Sequence, residues 1–469
     1  MRAARCVVVA GLLLGVTPAA TFAQSAPVDP YFEFLNARHL EGEGDNDGAL
    51  AALQRAAAAE PKSAEIRAEI ASFYVRRNRR ADAEKAGREA LAIDPNNVEA
   101  NRVLGTLMVS NVGAAGNQPQ QNAAYVRDAI GYLERAAAGS VGVVDPNLNY
   151  QLGLLYLQNR QPDKAQQALA RVLSQNPGAV QARLRMAEAQ EASNDLQGAI
   201  STLDEIVDDE PRVAAALAQL QVKAGMPREA VENYTRALSV NPNNRPLKAL
   251  RIITLYDMKD YARAAAFAAD AQRQHPDDPQ FPRLEASAYN AAGDKTKAIE
   301  VLEAALKQFP KDMPSQLALA DIYGSVKRFA DEEKLLRQML AVDPNNADAL
   351  NFLGYMLARN NDRLDEAIRL VQQALRVEPG NGAYLDSLGW AYFKKGSYAE
   401  ADANLRQAIA RLPTNAEVLD HVGELRAKQG RWQEAIDAWT KALDGDGDVD
   451  KQEIEKKIAS ARAKMPNAK

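Results

Sequence analysis

The sequence predicts an all-α fold, a solenoid of about twelve helical hairpins that ends in a separate C-terminal helix. Prolines recur along the 469 residues at a nearly constant interval, and six of the ten successive gaps are 34 residues long. A period of this length is typical of repeat proteins, in which each period forms one supersecondary unit. With 46% hydrophobic and 25% charged residues, the chain has the composition of a folded protein, not of a disordered or collagen-like one. The recurring prolines are Pro61, Pro95, Pro146, Pro177, Pro211, Pro242, Pro276, Pro310, Pro344, Pro379 and Pro413.

Small residues keep a constant distance from these prolines. Alanine stands 12 residues before the proline in nine periods, as at Ala49 and Ala367, and alanine or glycine stands 24 residues before it, as at Gly389. Small side chains let two helix axes approach closely, so each period predicts two short helices that cross tightly. A glycine between them suits the left-handed turn that follows a helix end. The glycines at this position are Gly225, Gly293, Gly396 and Gly430.

The segments between periods carry residues that end one helix and begin the next. In the sequence DPNN, at 94–97 and again at 343–346, proline cannot continue a helix and asparagine can cap the following one. The third period has an insertion near residues 110–121, which predicts a longer loop. Residues 451–464 predict one more helix, highly charged with a few apolar positions, which suits a capping helix.

The N-terminus predicts an export signal. Two arginines precede an apolar run of about eleven residues that begins at Cys6, and small residues follow at the positions that a signal peptidase reads. We expect cleavage between Ala23 and Gln24. This removes two arginines and the only cysteine, and it changes the net charge from −5 to −7. Because Cys6 precedes the apolar run, we expect an exported protein, periplasmic or secreted, with no lipid anchor and no transmembrane segment. Peripheral association with the envelope is compatible with this interpretation.

The composition argues against several classes of function. A mildly acidic chain lacks the positive field that nucleic-acid binding requires. The three histidines are far apart in sequence, and no glycine-rich phosphate loop or Gly-x-Ser-x-Gly motif occurs. We therefore expect no catalytic residues, no metal and no cofactor.

One acidic segment imitates a calcium-binding loop. Aspartates alternate from Asp444 to Asp450, and Glu455 follows at the twelfth position. Such loops take their ligands at positions 1, 3, 5, 7 and 12, but they need glycine at the sixth position, where this chain has Val449. Calcium binding and a solvated acidic turn both remain open for residues 444–455.

The period as a whole resembles the tetratricopeptide repeat over most of the chain. A 34-residue helix–turn–helix unit with these small, tyrosine and proline positions is the pattern of that family. The resemblance implies a right-handed superhelix whose first helices line a concave channel that can hold an extended peptide. It divides the chain into a signal peptide (1–23), the repeats (24–449), and a capping helix with a tail (450–469).

The positions that face the channel in this family carry aromatic and acidic side chains in units ten to twelve. Aromatic side chains anchor protein partners well, and carboxylates around them favour a basic or neutral segment over an acidic one. The channel lacks the lysine, asparagine and arginine set with which chaperone-binding members hold a C-terminal carboxylate. Trp390 has an alternative role, which is packing against the next unit. The predicted partner-binding residues are Asn351, Tyr355, Asp386, Trp390, Phe393, Glu417, Asp420, His421 and Glu424.

The C-terminal third is similar to a narrower group of exported tetratricopeptide proteins. The similarity lies in LGYMLA at 353–358, PGNGAYLDSLGWAY at 379–392, HVGE at 421–424 and GRWQEA at 430–435. The group includes lipoproteins that act as adaptors for a periplasmic C-terminal processing protease. The resemblance implies a protein-binding adaptor, although this chain is predicted to lack the lipid anchor.

Three functions are consistent with the sequence. The first is a non-catalytic exported scaffold that binds proteins or peptides and presents them to a periplasmic enzyme. The second is a scaffold for polysaccharide export or envelope assembly, and the third is an enzyme with a site in the channel. A hydrogen bond from His421 to Asp386 or Asp420 beside a deep pocket would favour the enzyme. A channel open along its length would argue against it.

Overall fold

The computed structural model describes residues 29–112, 118–140, 142, 144–447 and 449–465. The predicted signal peptide (1–23) and residues 113–117 of the predicted insertion lie outside this part of the chain. Within the described residues the protein is all-α, as predicted, apart from an isolated β-bridge between Asn415 and Asp446. The chain divides into two compact units, Met1–Ala216 and Leu217–Lys469. Each unit is a series of helical hairpins.

The first unit contains five hairpins formed by successive pairs of helices. These are α1 (Pro30–Gly42) with α2 (Asn46–Ala59), α3 (Ala64–Arg76) with α4 (Arg80–Ile93), α5 (Val98–Asn111) with α6 (Pro119–Gly139), α7 (Pro146–Gln158) with α8 (Pro162–Gln175), and α9 (Val180–Ala192) with α10 (Leu196–Asp204). A 3₁₀ turn at Pro211–Val213 follows, and the boundary between the units falls inside α11 (Ala214–Lys223).

The second unit continues the alternation and ends in a single helix. Its helices are α12 (Pro227–Val240), α13 (Arg245–Asp257), α14 (Tyr261–Gln274), α15 (Gln280–Ala291), α16 (Lys295–Gln308), α17 (Met313–Ser325), α18 (Phe329–Val342), α19 (Ala347–Arg359), α20 (Leu364–Val377), α21 (Gly382–Lys395), α22 (Tyr398–Arg411), α23 (Ala416–Lys428), α24 (Trp432–Leu443) and α25 (Lys451–Lys464). With α11 and α12 as one pair, the described helices before α25 form twelve pairs, which matches the predicted number.

The small residues lie where paired helices cross, as the sequence predicts. Ala49 and Ala367 are fully buried. A Cβ atom at Gly389 in α21 would lie 2.7 Å from Cγ of Leu405 in α22, closer than two carbon atoms can approach without a shift. Interiors are packed too densely to absorb such an atom freely, so these positions fix the distance between the two helices of a hairpin.

The tight turn inside every hairpin other than α5–α6 contains a residue with a left-handed backbone. Gly293 has a φ of 88° and Gly396 one of 85°, which confirms the predicted role of these glycines. Other hairpins adopt the same conformation without glycine, for example at Lys259 (φ 62°) and Lys327 (φ 60°). A left-handed backbone costs roughly 1 kcal/mol for a residue with a Cβ atom. The turns that lack glycine are therefore locally strained.

Replacing Lys327 with glycine is expected to stabilise the second unit by about 0.5 to 1 kcal/mol, because it removes this strain at an exposed position. Gly293→Ala, the reverse change in the turn of the preceding repeat, should destabilise it by a similar amount. Urea unfolding monitored by circular dichroism measures both effects. If both substitutions change the stability in the same direction, backbone strain in the turn does not explain their effects.

Helix caps and the last helix also follow the prediction. Oδ1 of Asn97 accepts a hydrogen bond of 2.9 Å from the backbone N–H of Ala100, and Asn346 caps α19 in the same way. The C-terminal helix α25 buries Ile454 and Ile458 against α24. Its other residues are largely exposed, as a capping helix requires.

The described part of the predicted insertion is mostly helical. Residues 110–111 end α5, and residues 119–121 begin the 21-residue helix α6. The predicted loop is therefore shorter than the sequence indicates, because α6 extends towards the N-terminus. In the described ranges of the chain, no helix is both long enough and apolar enough to cross a membrane.

Candidate functional site

A cavity of about 540 Å³ lies in the second unit. It is lined by side chains of α17, α18, α19, α21, α23 and α25, so the first helices of four consecutive hairpins contribute to it. Six of the nine predicted partner-binding residues line it, and the other three, Trp390, Phe393 and Glu424, lie outside its wall. The six lining residues are Asn351, Tyr355, Asp386, Glu417, Asp420 and His421.

Helical spacing explains why these side chains lie together. Residues four positions apart lie on the same face of a helix. Asn351 and Tyr355 form such a pair in α19, and Glu417 and His421 form another in α23. The tight crossings hold most second helices behind the first ones, and the exception is α18, which contributes Glu332 to the cavity.

A buried histidine–carboxylate pair lies in the wall. Nδ1 of His421 is 2.9 Å from Oδ2 and 3.0 Å from Oδ1 of Asp386, and both side chains are about 95% buried. Burial opposes the charged imidazolium, but the Asp386 carboxylate outweighs it, so the pKa of His421 is raised above its ordinary value. Among the described residues, Nε2 of His421 has no hydrogen-bond partner.

The predicted aromatic anchor is largely engaged in internal packing. The ring of Trp390 is half-buried and stacks on His421, with 4.0 Å between ring centroids, and on Phe393 at 4.9 Å. Its Nε1 is buried and finds no acceptor in the described part of the chain. Trp390 thus supports His421 from outside the cavity wall, which is closer to the packing role that the sequence left open.

Tyr355 joins two hairpins that are not neighbours in sequence. Its hydroxyl donates a hydrogen bond to Oε1 of Glu417, from repeat ten to repeat twelve. Burial, and then the charge of Glu417, raise the pKa of Tyr355 far above its usual range, so it remains a phenol at any physiological pH. This bond crosses the cavity wall beside the pair of Asp386 and His421.

The last helix adds a lysine that sequence reasoning missed. Nζ of Lys457 lies 2.8 Å from Oδ1 of Asp420 and 2.8 Å from Oε1 of Glu424. Lys457 follows Ile454 by three positions and precedes Ile458 by one, so it lies on the side of α25 that packs on the repeats. That spacing is the signal that would have located it.

A second missed cluster contains two carboxylates and one guanidinium. Glu332 in α18 occupies the position where other periods have the buried alanine, and its side chain is only 4% exposed. Nη2 of Arg359 lies 3.1 Å from its carboxylate. Burial nevertheless raises the pKa of Glu332 to about 7, with a further contribution from the charge of Asp321. The replacement of alanine by glutamate in an otherwise regular pattern is the signal that could have found this site.

Glu332 predicts a measurable dependence of stability on pH. Between its ordinary pKa of 4.5 and about 7, the folded protein keeps a proton that the unfolded chain has released, so stability falls as the pH rises through this range. We expect wild type to lose on the order of 2 kcal/mol more than Glu332→Gln between pH 5 and pH 8. Urea unfolding of both proteins at the two pH values measures the difference. If wild type and Glu332→Gln lose the same stability between pH 5 and pH 8, Glu332 does not have the raised pKa.

The side chain of Asn351 is unpaired. It is 8% exposed, it lines the cavity, and its buried Oδ1 forms no hydrogen bond with a described residue. Buried polar groups are nearly always hydrogen-bonded, because an unpaired one costs roughly 1 to 3 kcal/mol. This asparagine is therefore the residue in the wall that most clearly lacks a partner.

The segment that imitates a calcium loop has other contacts in the structure. Oδ2 of Asp446 accepts a hydrogen bond from the hydroxyl of Thr414 at 2.6 Å, and Asp450 caps α25 through the N–H of Glu453. Asp448 lies outside the described residues. Among the residues that are described, no group of three or more histidine, cysteine, aspartate or glutamate side chains is arranged to hold a metal ion.

Comparison with known families agrees with the fold. Sequence profiles of the tetratricopeptide repeat match residues 40–107, 156–220 and 221–288, residues 283–322, and residues 317–383, 357–416 and 387–449. Together these ranges cover well over half of the chain. The protein belongs to the tetratricopeptide repeat family, whose helical scaffold is suited to binding other proteins.

One curated relative is TPR repeat-containing protein PA4667 of Pseudomonas aeruginosa, which is 33% identical over 145 residues. The match covers 31% of this chain and 24% of that protein, so this chain accounts for only about a quarter of the relative's length.

Solved structures with a similar fold include yeast Tom70 and the complex of Naa15/Naa10 bound to HypK-THB. Tom70 is 15% identical with a TM-score of 0.45, and the match covers 93% of this chain and 95% of Tom70. The second structure is 15% identical with a TM-score of 0.46, and the match covers 88% of this chain and 68% of that one. At these scores the similarity implies nothing about function.

Proposed function

We propose that this protein is an exported scaffold that binds a segment of another protein in the cavity of its second unit and presents that partner to a periplasmic enzyme. Export rests on the N-terminal sequence alone. The adaptor role rests on the resemblance of residues 353–439 to exported adaptor proteins. The observation that carries the binding role is the cavity itself, because the first helices of four successive hairpins build one continuous wall.

The unpaired groups in this wall support a role in binding. Asn351 lines the cavity without a hydrogen bond from a described residue, and Asp321 is exposed without an ion pair among them. A folded protein that needed the wall only for stability would be expected to pair a buried amide such as that of Asn351 internally. A bound polypeptide would supply the missing donors.

A pull-down from envelope extract with the chain lacking residues 1–23 tests this proposal. Partners held in the cavity should be lost with Tyr355→Ala, which removes both an aromatic surface and the bond to Glu417. They should remain with Tyr31→Ala, a matched change at a tyrosine that is 69% exposed in the first unit. Circular dichroism checks that both variants fold. If Tyr355→Ala and Trp390→Ala each retain every partner, the cavity is not the binding site.

A second candidate function is catalysis in the same cavity, and one observation favours it. Asp386 holds Nδ1 of His421, which is the arrangement that orients a histidine base. Two features oppose it. The raised pKa keeps His421 protonated over a wider pH range, and the neighbouring Ser387 forms no hydrogen bond with it in the described structure. Hydrolysis of p-nitrophenyl acetate separates the two functions. Equal rates for wild type and His421→Ala support the scaffold, whereas a rate that depends on His421 supports the enzyme.

A further inference from the structure

We propose that the cavity selects a cationic side chain, lysine or arginine, from the bound segment. This inference rests on the proposed function, in which the cavity binds such a segment, and it specifies the chemistry of the residue that enters.

The charge of the cavity is strongly unbalanced. Seven carboxylates line it, against two side chains that carry a permanent positive charge, Arg359 and Lys457, and the histidine His421. Charges of one sign that line a concave surface concentrate the field and attract ligands of the opposite sign. The cavity therefore favours a cation over a neutral or acidic group.

Several of these carboxylates are already neutralised by internal partners. Glu332 is paired with Arg359, and Asp386 with His421. Nη2 of Arg359 contacts both carboxylate oxygens of Glu332, at 3.1 and 3.3 Å, and the charge of the same guanidinium also acts on Asp321, so Arg359 offsets part of the attraction for a cation.

Three lining carboxylates, Asp321, Glu417 and Asp450, form no ion pair with a described residue, and Asp450 caps α25 through the backbone N–H of Glu453. Asp321 in α17 is exposed and forms no hydrogen bond or ion pair with any described residue. Glu417 is also exposed, and among the described residues its carboxylate accepts a hydrogen bond only from the neutral hydroxyl of Tyr355. Because Asp450 already caps α25, Asp321 and Glu417 are the exposed carboxylates most available to an incoming positive charge.

The same wall already binds one ammonium group from the chain itself. Nζ of Lys457 lies within 2.8 to 2.9 Å of both carboxylate oxygens of Asp420 and within 2.8 Å of Glu424. Its side chain is only 21% exposed. The wall is therefore able to desolvate and pair a lysine head group at one of its acidic positions, which is the environment that a partner's lysine or arginine would need.

Asn351 is an independent observation that points to a ligand. Its amide is more than nine-tenths buried, it faces the cavity, and it finds no partner among the described residues. An amide oxygen is a suitable acceptor for an ammonium or guanidinium N–H group. A cationic side chain in the cavity would satisfy it together with the unpaired carboxylates.

A displayed library of random dodecapeptides, selected on the chain that lacks residues 1–23, is the probe. The enriched peptides should share a lysine or arginine. A synthetic copy with norleucine at that position should bind at least about tenfold more weakly, since hydrogen bonds to charged groups are the stronger ones. Affinity of the basic peptide should also fall as the salt concentration rises.

Matched variants assign the effect to the cavity. Asp321→Asn should weaken the basic peptide and leave the norleucine peptide unchanged, whereas Glu400→Gln, the same loss of charge at an exposed residue outside the cavity wall, should change neither. Asn351→Ala should weaken binding while the melting temperature stays constant or rises, because it removes an unpaired buried group. A purely structural role would lower the melting temperature.

Different results would contradict the preference for a cationic side chain and the binding of peptides in the cavity. Enriched peptides that are neutral or acidic, or a preference for basic peptides that survives Asp321→Asn combined with Glu417→Gln, would overturn the inference alone. If no peptide is enriched, or if all enriched peptides bind Tyr355→Ala as well as they bind wild type, the cavity does not bind peptides and both proposals are wrong.

Discussion

Replacing Gly423 with alanine is expected to destabilise the C-terminal hairpins by about 3 kcal/mol. Gly423 lies where α23 crosses α24, and a Cβ atom there would lie 2.6 Å from Cδ1 and 2.7 Å from Cε2 of Trp439. A flexible side chain could move aside, but this indole is rigid and only 3% exposed. The gain in helix propensity from glycine to alanine, about 1 kcal/mol, does not offset the clash.

The same substitution should disturb the candidate site. Nε1 of Trp439 donates a hydrogen bond of 2.8 Å to Oδ1 of Asp420, the carboxylate that also binds Lys457. Displacement of the indole would break this bond and loosen the contact between α25 and the cavity wall. We therefore expect Gly423→Ala to weaken binding in the cavity as well as folding.

A double-mutant cycle tests the mechanism. Trp439→Phe provides a smaller ring, so Gly423→Ala should cost less in that background than in wild type. Urea unfolding followed by the fluorescence of the two remaining tryptophans, Trp390 and Trp432, reports on these repeats directly. Gly131→Ala is the control, followed by circular dichroism because it lies in the first unit; a Cβ atom at that helical glycine meets nothing closer than 3.9 Å. Strict additivity in the cycle would exclude the proposed clash.

Most of the fold follows from local patterns in the sequence. Each hairpin depends on a few positions, such as a buried alanine at Ala367, a left-handed glycine at Gly396 and a capping asparagine at Asn346. These act through the nearest helix, so their spacing along the chain is sufficient to predict the hairpin. The longer helix α6 was not predictable in this way, because the inserted residues have no constant phase with the prolines.

The candidate site was predictable only in part, because several of its contacts connect distant residues. The positions of Asn351 and Glu417 could be read from the repeat, but the bond between Tyr355 and Glu417 spans 62 residues. Sequence identifies these residues as neighbours of a channel. It does not reveal that Trp390 stacks on a buried His421.

The charged residues that were missed each depart from the repeat pattern. Glu332 replaces an alanine, and Lys457 belongs to a helix outside the repeats. In both cases the charge is stabilised by a partner from another helix, Arg359 for Glu332 and Asp420 for Lys457. A pattern that describes one repeat at a time carries no information about such a pairing.

Replacing Asp386 with alanine is expected to lower the pKa of His421. Asp386 is the main influence that raises this pKa, and burial, the largest single influence, opposes it. Without the carboxylate, the buried imidazolium would lose its counter-charge while its desolvation remained. A pH titration of the histidine ring resonances by NMR measures the change. Asp386→Asn is the informative comparison, because it keeps an acceptor for Nδ1–H but removes the charge.

The effect on stability should depend on pH, with a sign set by the raised pKa of His421. The pair of Asp386 and His421 contributes its full stabilisation of the fold below the ordinary histidine pKa of 6.5. This stabilisation is lost as the pH rises through the higher pKa of His421 in the folded protein. We therefore expect Asp386→Ala to cost about 3 kcal/mol at pH 6, as for other broken buried ion pairs, and less once the pH exceeds the pKa of His421 in the folded protein. Asp365→Ala removes an exposed carboxylate paired with Lys395 and should have little effect at either pH. A cost for Asp386→Ala that is the same below and above the titration of the His421 ring, as located by NMR, would mean that the pair does not depend on the charge of His421. The pair would then be an ordinary hydrogen bond, which would remove the main electrostatic argument against His421 as a base.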